Sequence, residues 1–392
     1  MRIKYNDIEI IRQINTVMVL NVLRKSDRLL SRPNMADQLG LSKVTIANII
    51  HDLNYLGFTI DAGLGTTDRR GGRKPGLVAL DRQRKRVMGA YLTHGLAEIV
   101  LSDITGRELK RLRAKLGPRD GPEILPVMAL ELLEETGTPR PSVLGLVLAL
   151  SRGRYEPDLL AGGGSDVDNP SPLALRLNQS LGGIPVWPVD FSRARAFGEC
   201  WFNHDFQSPA HFFYINLSHS FSCLAARMGI LDEEPGEYAA CAMSFLEPDS
   251  QDRQPSTVAS TLNGRDFLRQ ASELAGRPLT SRTAARLAEE GNPDLIEHFK
   301  RFGYDLGCGL SHIVNMAGFQ KIIIGGLMVK GWPYFQASMR QGLETHLAKR
   351  YQGSGVEVNP LHRDLDSGLL GAQALALDRW VYHTELLYGS RG

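Results

Sequence analysis

Long apolar runs are absent from this chain. No stretch of eighteen consecutive apolar residues occurs in its 392 residues, so no membrane span is expected. The first ten residues, MRIKYNDIEI, lack the apolar centre of a secretory signal. Cysteine is scarce, and Cys200, Cys223, Cys241 and Cys308 stand far apart with no CxxC pair. That spacing excludes a zinc ribbon and suits a reducing compartment, so a cytoplasmic protein without a metal centre is expected. The histidines form no HxxxH pair, which removes the helical metalloprotease pattern. No Gly-x-Ser-x-Gly elbow accompanies any serine, so a hydrolase has no support. Hydrophobic and charged fractions of 43% and 22% are ordinary for a globular chain, and the length calls for two or three domains.

What is present is concentrated near the N-terminus. Residues 31–58, SRPNMADQLGLSKVTIANIIHDLNYLGF, predict two short helices and a tight turn. Ser31 is placed to cap a helix from about Arg32 to Leu39, and Gly40 ends it, because glycine enters the left-handed region at little cost. Ser42 then caps a second helix over about 43–55. This spacing is that of a helix-turn-helix, whose second helix reads the DNA major groove. Ile46, Ile49, Ile50 and Leu53 share one face at helical spacing and predict a buried stripe. The opposite face carries Val44, Ala47, Asn48 and His51, with Lys43 and Thr45 near the start. Small and polar side chains allow close approach to base edges; Asn can pair with adenine and an apolar group can touch a thymine methyl. An upstream helix, Ile8 to Leu23, is expected to pack Ile11, Ile14, Val17, Leu20 and Val22 on the other two.

A wing follows. FTIDA (58–62) and GLVAL (76–80) have strand character, and the basic, glycine-rich stretch between them (about 63–75) carries Arg69, Arg70, Arg73 and Lys74 for phosphates or a narrow minor groove. Charge divides the chain in the same place. Residues 1–86 hold sixteen Lys or Arg against eight Asp or Glu, a net of +8, within a chain whose total is only +2. A basic head on an acidic body predicts that the head alone meets a polyanion. The expected division is a winged helix-turn-helix over 1–82 and a two-lobed domain over 83–392.

The body alternates strands and helices. VMGAYLTHG, AEIVLSDITG and RELKRLRAK read as strands. SVLGLVLAL (142–150) is an unbroken apolar run, as in a strand covered on both faces. Strand groups followed by crossover helices occur twice, which predicts a duplicated α/β architecture with a cleft between lobes.

These residues resemble the ROK family, which joins sugar-responsive repressors and sugar kinases on an actin-like (ribonuclease H-like) fold. LSKVTIANIIHDLNYLGF and GGRKPGLVAL are similar to the recognition helix and wing of its repressors. VMGAYLTHGLAEIVLSDITGREL, LSHIVNMAGFQKIIIGG and LDSGLLGAQALALD are similar to its opening hairpin, its late helix with a Gly-Gly strand, and its last helix.

The departures decide what that resemblance implies. Family kinases bind ATP phosphates with an acidic loop and a second, glycine-rich loop. Here those stretches read GAYLTHG and LSHSFSCLAA, without the acid and without the glycines. Backbone N–H groups reach a phosphate only where no Cβ intervenes, so no ATP, no other cofactor and no catalytic residue is expected. The family's Asn-Asp sugar pattern has its counterpart in VDFSRARAFGE. Counted without a gap from Gly198-Glu199, Asp190 takes the Asn position; with a one-residue gap it takes the Asp position. The zinc-loop counterpart EPDSQDRQPSTVAST has no cysteine, so no zinc is expected.

Two readings of this erosion stand. In one, the cleft is rebuilt for a sugar-like or other small-molecule effector, lined by Ser151, Arg152, Asp190, Ser192, Ser218 and His219. In the other, the body serves oligomerisation alone. The expected function is a DNA-binding transcriptional regulator, a repressor, using Arg32, Ser42, Lys43, Val44, Thr45, Asn48, Arg70, Arg73 and Lys74. Its partners would be double-stranded DNA with an inverted repeat and further copies of itself, as a homodimer or dimer of dimers. The interface is expected from body helices, on the reading that the head has little spare apolar surface. A sugar kinase with a fused DNA-binding head is the alternative.

Overall fold

A computed structural model of the chain describes residues 5–26, 28–65, 74–93, 95–117, 119–150, 171–202, 211–218, 221–227, 230–231, 262–361 and 368–382, with backbone alone for 5–10 and 230. They fall into two compact units, residues 1–189 with 372–392, and residues 190–371.

The first unit opens with α1 (Tyr5–Lys25), β1 (Leu30–Ser31), α2 (Arg32–Leu39), α3 (Lys43–Tyr55), β2 (Thr59–Leu64) and β3 (Gly76–Leu80). Ser31 caps α2 by accepting from the Asn34 N–H at 3.3 Å, and Ser42 caps α3 by accepting from the Thr45 N–H at 3.0 Å. Gly40 adopts φ 66°, the left-handed turn that ends α2. Ile46, Ile49, Ile50 and Leu53 are buried, as their spacing predicts. The strands form an antiparallel sheet in the order β1-β3-β2. β1 is too short to show any period in the sequence, and it closes the sheet by pairing Leu30 with Val78.

Helix α1 departs from expectation. Among its described side chains Thr16, Val19 and Leu20 are buried, whereas Ile11 and Ile14 are about half exposed, at 50% and 52%, and Met18 is 36% exposed. The helix is apolar on two opposite faces, and the one chosen for the core is centred on Thr16 and Leu20. The head therefore has more spare apolar surface than the sequence reading allowed.

The same unit continues with β4 (Arg86–Leu92), β5 (Leu96–Asp103), β6 (Glu108–Lys115), α4 (Ile124–Glu135), β7 (Val143–Leu150), α5 (Pro172–Ser180) and β8 (Val186–Asp190). The sheet order is β6-β5-β4-β7-β8, with β4 antiparallel to β5 and parallel to β7. Met88, Ala90, Ile99, Leu146 and Leu148 form a core with Leu125, Met128 and Leu132 of α4 and Leu173 and Leu177 of α5.

The second unit holds α6 (Phe191–Phe202), β9 (Phe212–Leu217), β10 (Phe221–Arg227), β11 (Ile230–Leu231), α7 (Gly264–Ala275), α8 (Ser281–Glu289), α9 (Pro293–Ala317), β12 (Lys321–Gly325), α10 (Trp332–His346) and β13 (Glu357–Pro360). Its sheet order, β11-β10-β9-β12-β13, repeats that of the first unit, three antiparallel strands followed by two beyond the first. The duplicated layout read from the sequence is therefore present. Alternation sorts β9 between two layers: Phe213, Ile215 and Leu217 pack with α7–α10, and Phe212 and Tyr214 pack on the α6 side. That double burial is why FFYI (212–215) reads as an unbroken apolar run.

The last helix, α11 (Leu369–Leu377), runs into a π-helical turn, Asp378–Tyr382. From residue 372 onward it belongs to the first unit. There Gln373 donates from Nε2 to the Gly106 carbonyl at 2.6 Å, and the Tyr382 hydroxyl donates to the Ile104 carbonyl at 2.8 Å. The Arg24 guanidinium, at the end of α1, lies 5.1 Å from the Tyr382 ring centroid.

Candidate functional site

Two groups of residues merit a functional reading, the outward face of α3 and a polar cluster beside β9. On α3, Ser42, Lys43, Val44, Ala47, Asn48 and His51 are all exposed, opposite the isoleucine stripe. Val44 is 70% exposed. An apolar side chain so open at the first turn of a helix has no role in the fold. Ser42 and Thr45 bond each other through their hydroxyls at 2.8 Å, so both serve the cap as well as lying near the helix start. Arg32 is held by Asp61 of β2 at 3.1 Å, which fixes its guanidinium at the base of the β2–β3 hairpin. Lys74 is exposed beside β3. Arg70 and Arg73 lie outside the described residues.

The polar cluster sits in the second unit. Asp190 Oδ1 accepts from the Ser192 N–H at 2.8 Å, so this carboxylate caps the start of α6. Ser192 is buried, and its hydroxyl bonds that of Ser222 at 2.7 Å. Ser222 also accepts from Asn216 Nδ2 at 3.3 Å. Asn216 Oδ1 accepts from Arg195 Nη1 at 3.3 Å and from the Ser218 hydroxyl at 3.0 Å. Ser218 in turn accepts from the Leu327 N–H at 3.4 Å. The Arg195 guanidinium lies 3.8 Å from the Phe191 ring centroid, a short cation–π contact inside a buried site.

Of the six effector candidates, the structure brings Asp190, Ser192 and Ser218 into this one chain of hydrogen bonds. Ser151, Arg152 and His219 lie outside the described residues, as do the zinc-loop counterpart and its flanks over 232–261. Sequence reasoning missed Arg195, Asn216 and Ser222. Their signal was a polar residue at an apolar register: Asn216 interrupts FFYINL, and Arg195 stands between Ala194 and Ala196 on the buried face of α6. Among the described residues no group of three or more His, Cys, Asp or Glu could hold a metal ion. Among them, too, no helix is long and apolar enough to cross a membrane.

The model of the ROK family matches residues 258–379. The matched stretch is therefore similar to a ROK-family domain. Similarity extends past that domain. The xylose repressor of Bacillus subtilis is 19% identical over 395 residues, covering 95% of this chain and 97% of that protein. The chain spans about half the length of the xylose repressors of Caldicellulosiruptor that it also matches. Among solved structures, a ROK family transcriptional regulator described as a homologue of the Escherichia coli Mlc protein covers 96% of the chain, at 17% identity and a TM-score of 0.71. The ROK hexokinase of Thermus thermophilus covers 74%, at 19% identity and a TM-score of 0.57. At these identities the structures establish the fold alone, the repeated sheets that the resemblance implied. The hexokinase leaves about a quarter of the chain unmatched, whereas the regulator leaves almost none.

Proposed function

We propose that the chain is a DNA-binding transcriptional repressor that docks α3 in the major groove and the basic β2–β3 hairpin on adjacent phosphates. The observation that carries this reading is the sidedness of α3. One face is sealed in the core of the head, while the other presents Lys43, Val44, Ala47 and Asn48 to solvent with Val44 almost uncovered. Helix, turn, helix and hairpin in this order support a winged helix-turn-helix. The repressor name of a relative that matches nearly the whole length supports the same reading. Asn48 would pair with adenine, Val44 would meet a thymine methyl, and Lys43 and Lys74, with Arg70 and Arg73, would neutralise phosphates. Two heads on an inverted repeat, in a homodimer or dimer of dimers, supply the affinity that one small head lacks. Selection from a random duplex pool, followed by footprinting, tests this. Enrichment of an inverted repeat is expected; a pool that stays random after selection would end the proposal.

Effector control has two readings. Xylose is the first compound to test, because the relatives bear its name. A sugar at Asp190, Ser192 and Ser218 would have to replace bonds that these residues already make with the protein. That closed chain of bonds favours the second reading, a repressor that needs no sugar. Thermal-shift measurement separates them, since a ligand of the native state raises apparent stability in proportion to its saturation. A xylose-dependent rise selects the first reading, and flat curves across sugars select the second. Phosphoryl transfer from ATP to a sugar, the kinase alternative, is not expected.

A further inference from the structure

We propose that Arg12 and Tyr55 form a second DNA-contacting site, one that holds a backbone phosphate at the end of α3 remote from its base-reading first turn. The site rests on the docking of α3 proposed above and adds residues from α1 and from the last turn of α3. Spacing puts Val44, Asn48, His51 and Tyr55 on one face of the helix, four, three and four residues apart. Tyr55 is 78% exposed. Among the described residues its hydroxyl makes no hydrogen bond. A tyrosine so open at the end of a helix adds nothing to the core of the head.

Reach decides what Tyr55 can touch. It stands eleven positions beyond Val44, a rise of roughly 16 Å along the helix. The major groove is about 12 Å wide. With the first turn of α3 among base edges, the last turn therefore lies at the sugar-phosphate wall. There a phenol donates to a phosphate oxygen and its ring lies against the sugar.

Charge points the same way. Asp52, the one acid of α3, lies three residues before Tyr55 and so neighbours it on the helix surface. A bare carboxylate there would repel a phosphate. Arg12 of α1 donates to it from Nη2 at 2.5 Å, and the Arg12 side chain is still 47% exposed. Asp52 thus has its charge cancelled and in return holds a half-exposed guanidinium on the flank of the outward face. A guanidinium already held in place loses less freedom when it meets a phosphate. An exposed ion pair contributes little to stability, so the value of this one lies in binding.

Fluorescence anisotropy of the full chain tests it, on a random-sequence duplex and on the duplex recovered by selection. Arg12→Ala should weaken binding to both by roughly tenfold and lower the slope of log affinity against log salt by about 0.9 per head. Tyr55→Phe should weaken both by roughly threefold and leave the slope unmoved, because no charge is lost. Melting curves of the variants should match that of the unaltered chain. Tyr55→Phe removes only an exposed hydroxyl, so it keeps the test open even if Arg12→Ala disturbs the head. Arg12→Ala combined with Asp52→Asn should stay weak. Recovery of full affinity in that double variant would mean that Arg12 only masks Asp52, and would overturn the phosphate contact. A loss confined to the selected duplex would overturn it too, since a backbone contact is blind to sequence. The two readings fail differently. An unaltered chain that binds neither duplex ends the DNA reading and this site with it, whereas binding unchanged by both Arg12→Ala and Tyr55→Phe ends this site alone.

Discussion

Asn48→Ala is the sharpest probe of the docking proposed for α3. Asn48 is exposed, and among the described residues its side chain makes no hydrogen bond. Removing it should therefore leave the head folded, with stability within about 0.5 kcal/mol, as for surface changes clear of special features. A bidentate contact to adenine is worth about 1–3 kcal/mol of discrimination, or roughly 5- to 150-fold in affinity. A twofold complex loses the contact at both half-sites, so the loss per operator approaches the square of that factor if the half-sites act independently. The change should be selective, because the variant should no longer distinguish the original base from its replacements at that position. No charge is removed, so the slope of log affinity against log salt should not move. Fluorescence anisotropy on the selected operator and on its single-base variants, at several salt concentrations, measures all three quantities. An equal loss on every sequence, or a changed salt slope with retained base preference, would refute base reading by Asn48.

Lys74→Ala should instead weaken binding to all sequences and lower the salt slope by about 0.9 per head, which anisotropy at varied salt will show. Tyr382→Phe leaves the buried Ile104 carbonyl without its donor and should cost about 1–3 kcal/mol by denaturant unfolding. Burial also pushes the Tyr382 phenol above its usual range, so the native state holds that proton more tightly than the unfolded chain. Stability should then fall as pH rises past about 10, and the slope should be shallower in Tyr382→Phe. Burial lowers the His298 imidazole, against the opposing effect of the Phe267 carbonyl. The unfolded chain therefore binds the proton more readily, and stability should decline as pH drops below about 6.5, less so in His298→Gln.

Legibility of the chain followed the strength of local periodicity. The helices of the head, their caps at Ser31 and Ser42, and the strands at 86–92, 143–150, 212–217 and 321–325 were readable because capping, left-handed turns and double burial leave marks in adjacent residues. What was hidden depended on distant partners. Ile11 and Ile14 look like core residues until Thr16 and Leu20 are seen to occupy the inner side of the same helix. The return of residues 372–382 to the first unit leaves no local signature, since Gln373 finds its acceptor at Gly106 and Tyr382 finds one at Ile104. The polar cluster was half visible. Ser192 and Ser218 stood at strand and helix ends, but Arg195 and Asn216 gain meaning only when α6 is laid across β9.

The turn that follows β12 keeps its glycine for a reason independent of phosphate chemistry. Gly326 has φ 101°, and a Cβ there would come within 2.5 Å of the Leu217 carbonyl oxygen and 2.7 Å of Asn216 Oδ1, so the turn demands glycine for reasons of packing alone. Its retention is therefore no sign of a nucleotide. The next backbone N–H, that of Leu327, points to the Ser218 hydroxyl. A hydroxyl alone would not keep a phosphate away, since a charged acceptor makes roughly twice as strong a hydrogen bond. The stronger barrier is steric: the sequence from Leu217 to Ser220 holds no glycine, and a phosphate cradle needs backbone bare of Cβ atoms. On the proposed repressor reading, kinase chemistry would need glycines in this connection as well as an acid in the GAYLTHG stretch. Neither change alone supplies both the cradle and the charge, and this double requirement is what separates the repressor reading from the kinase one.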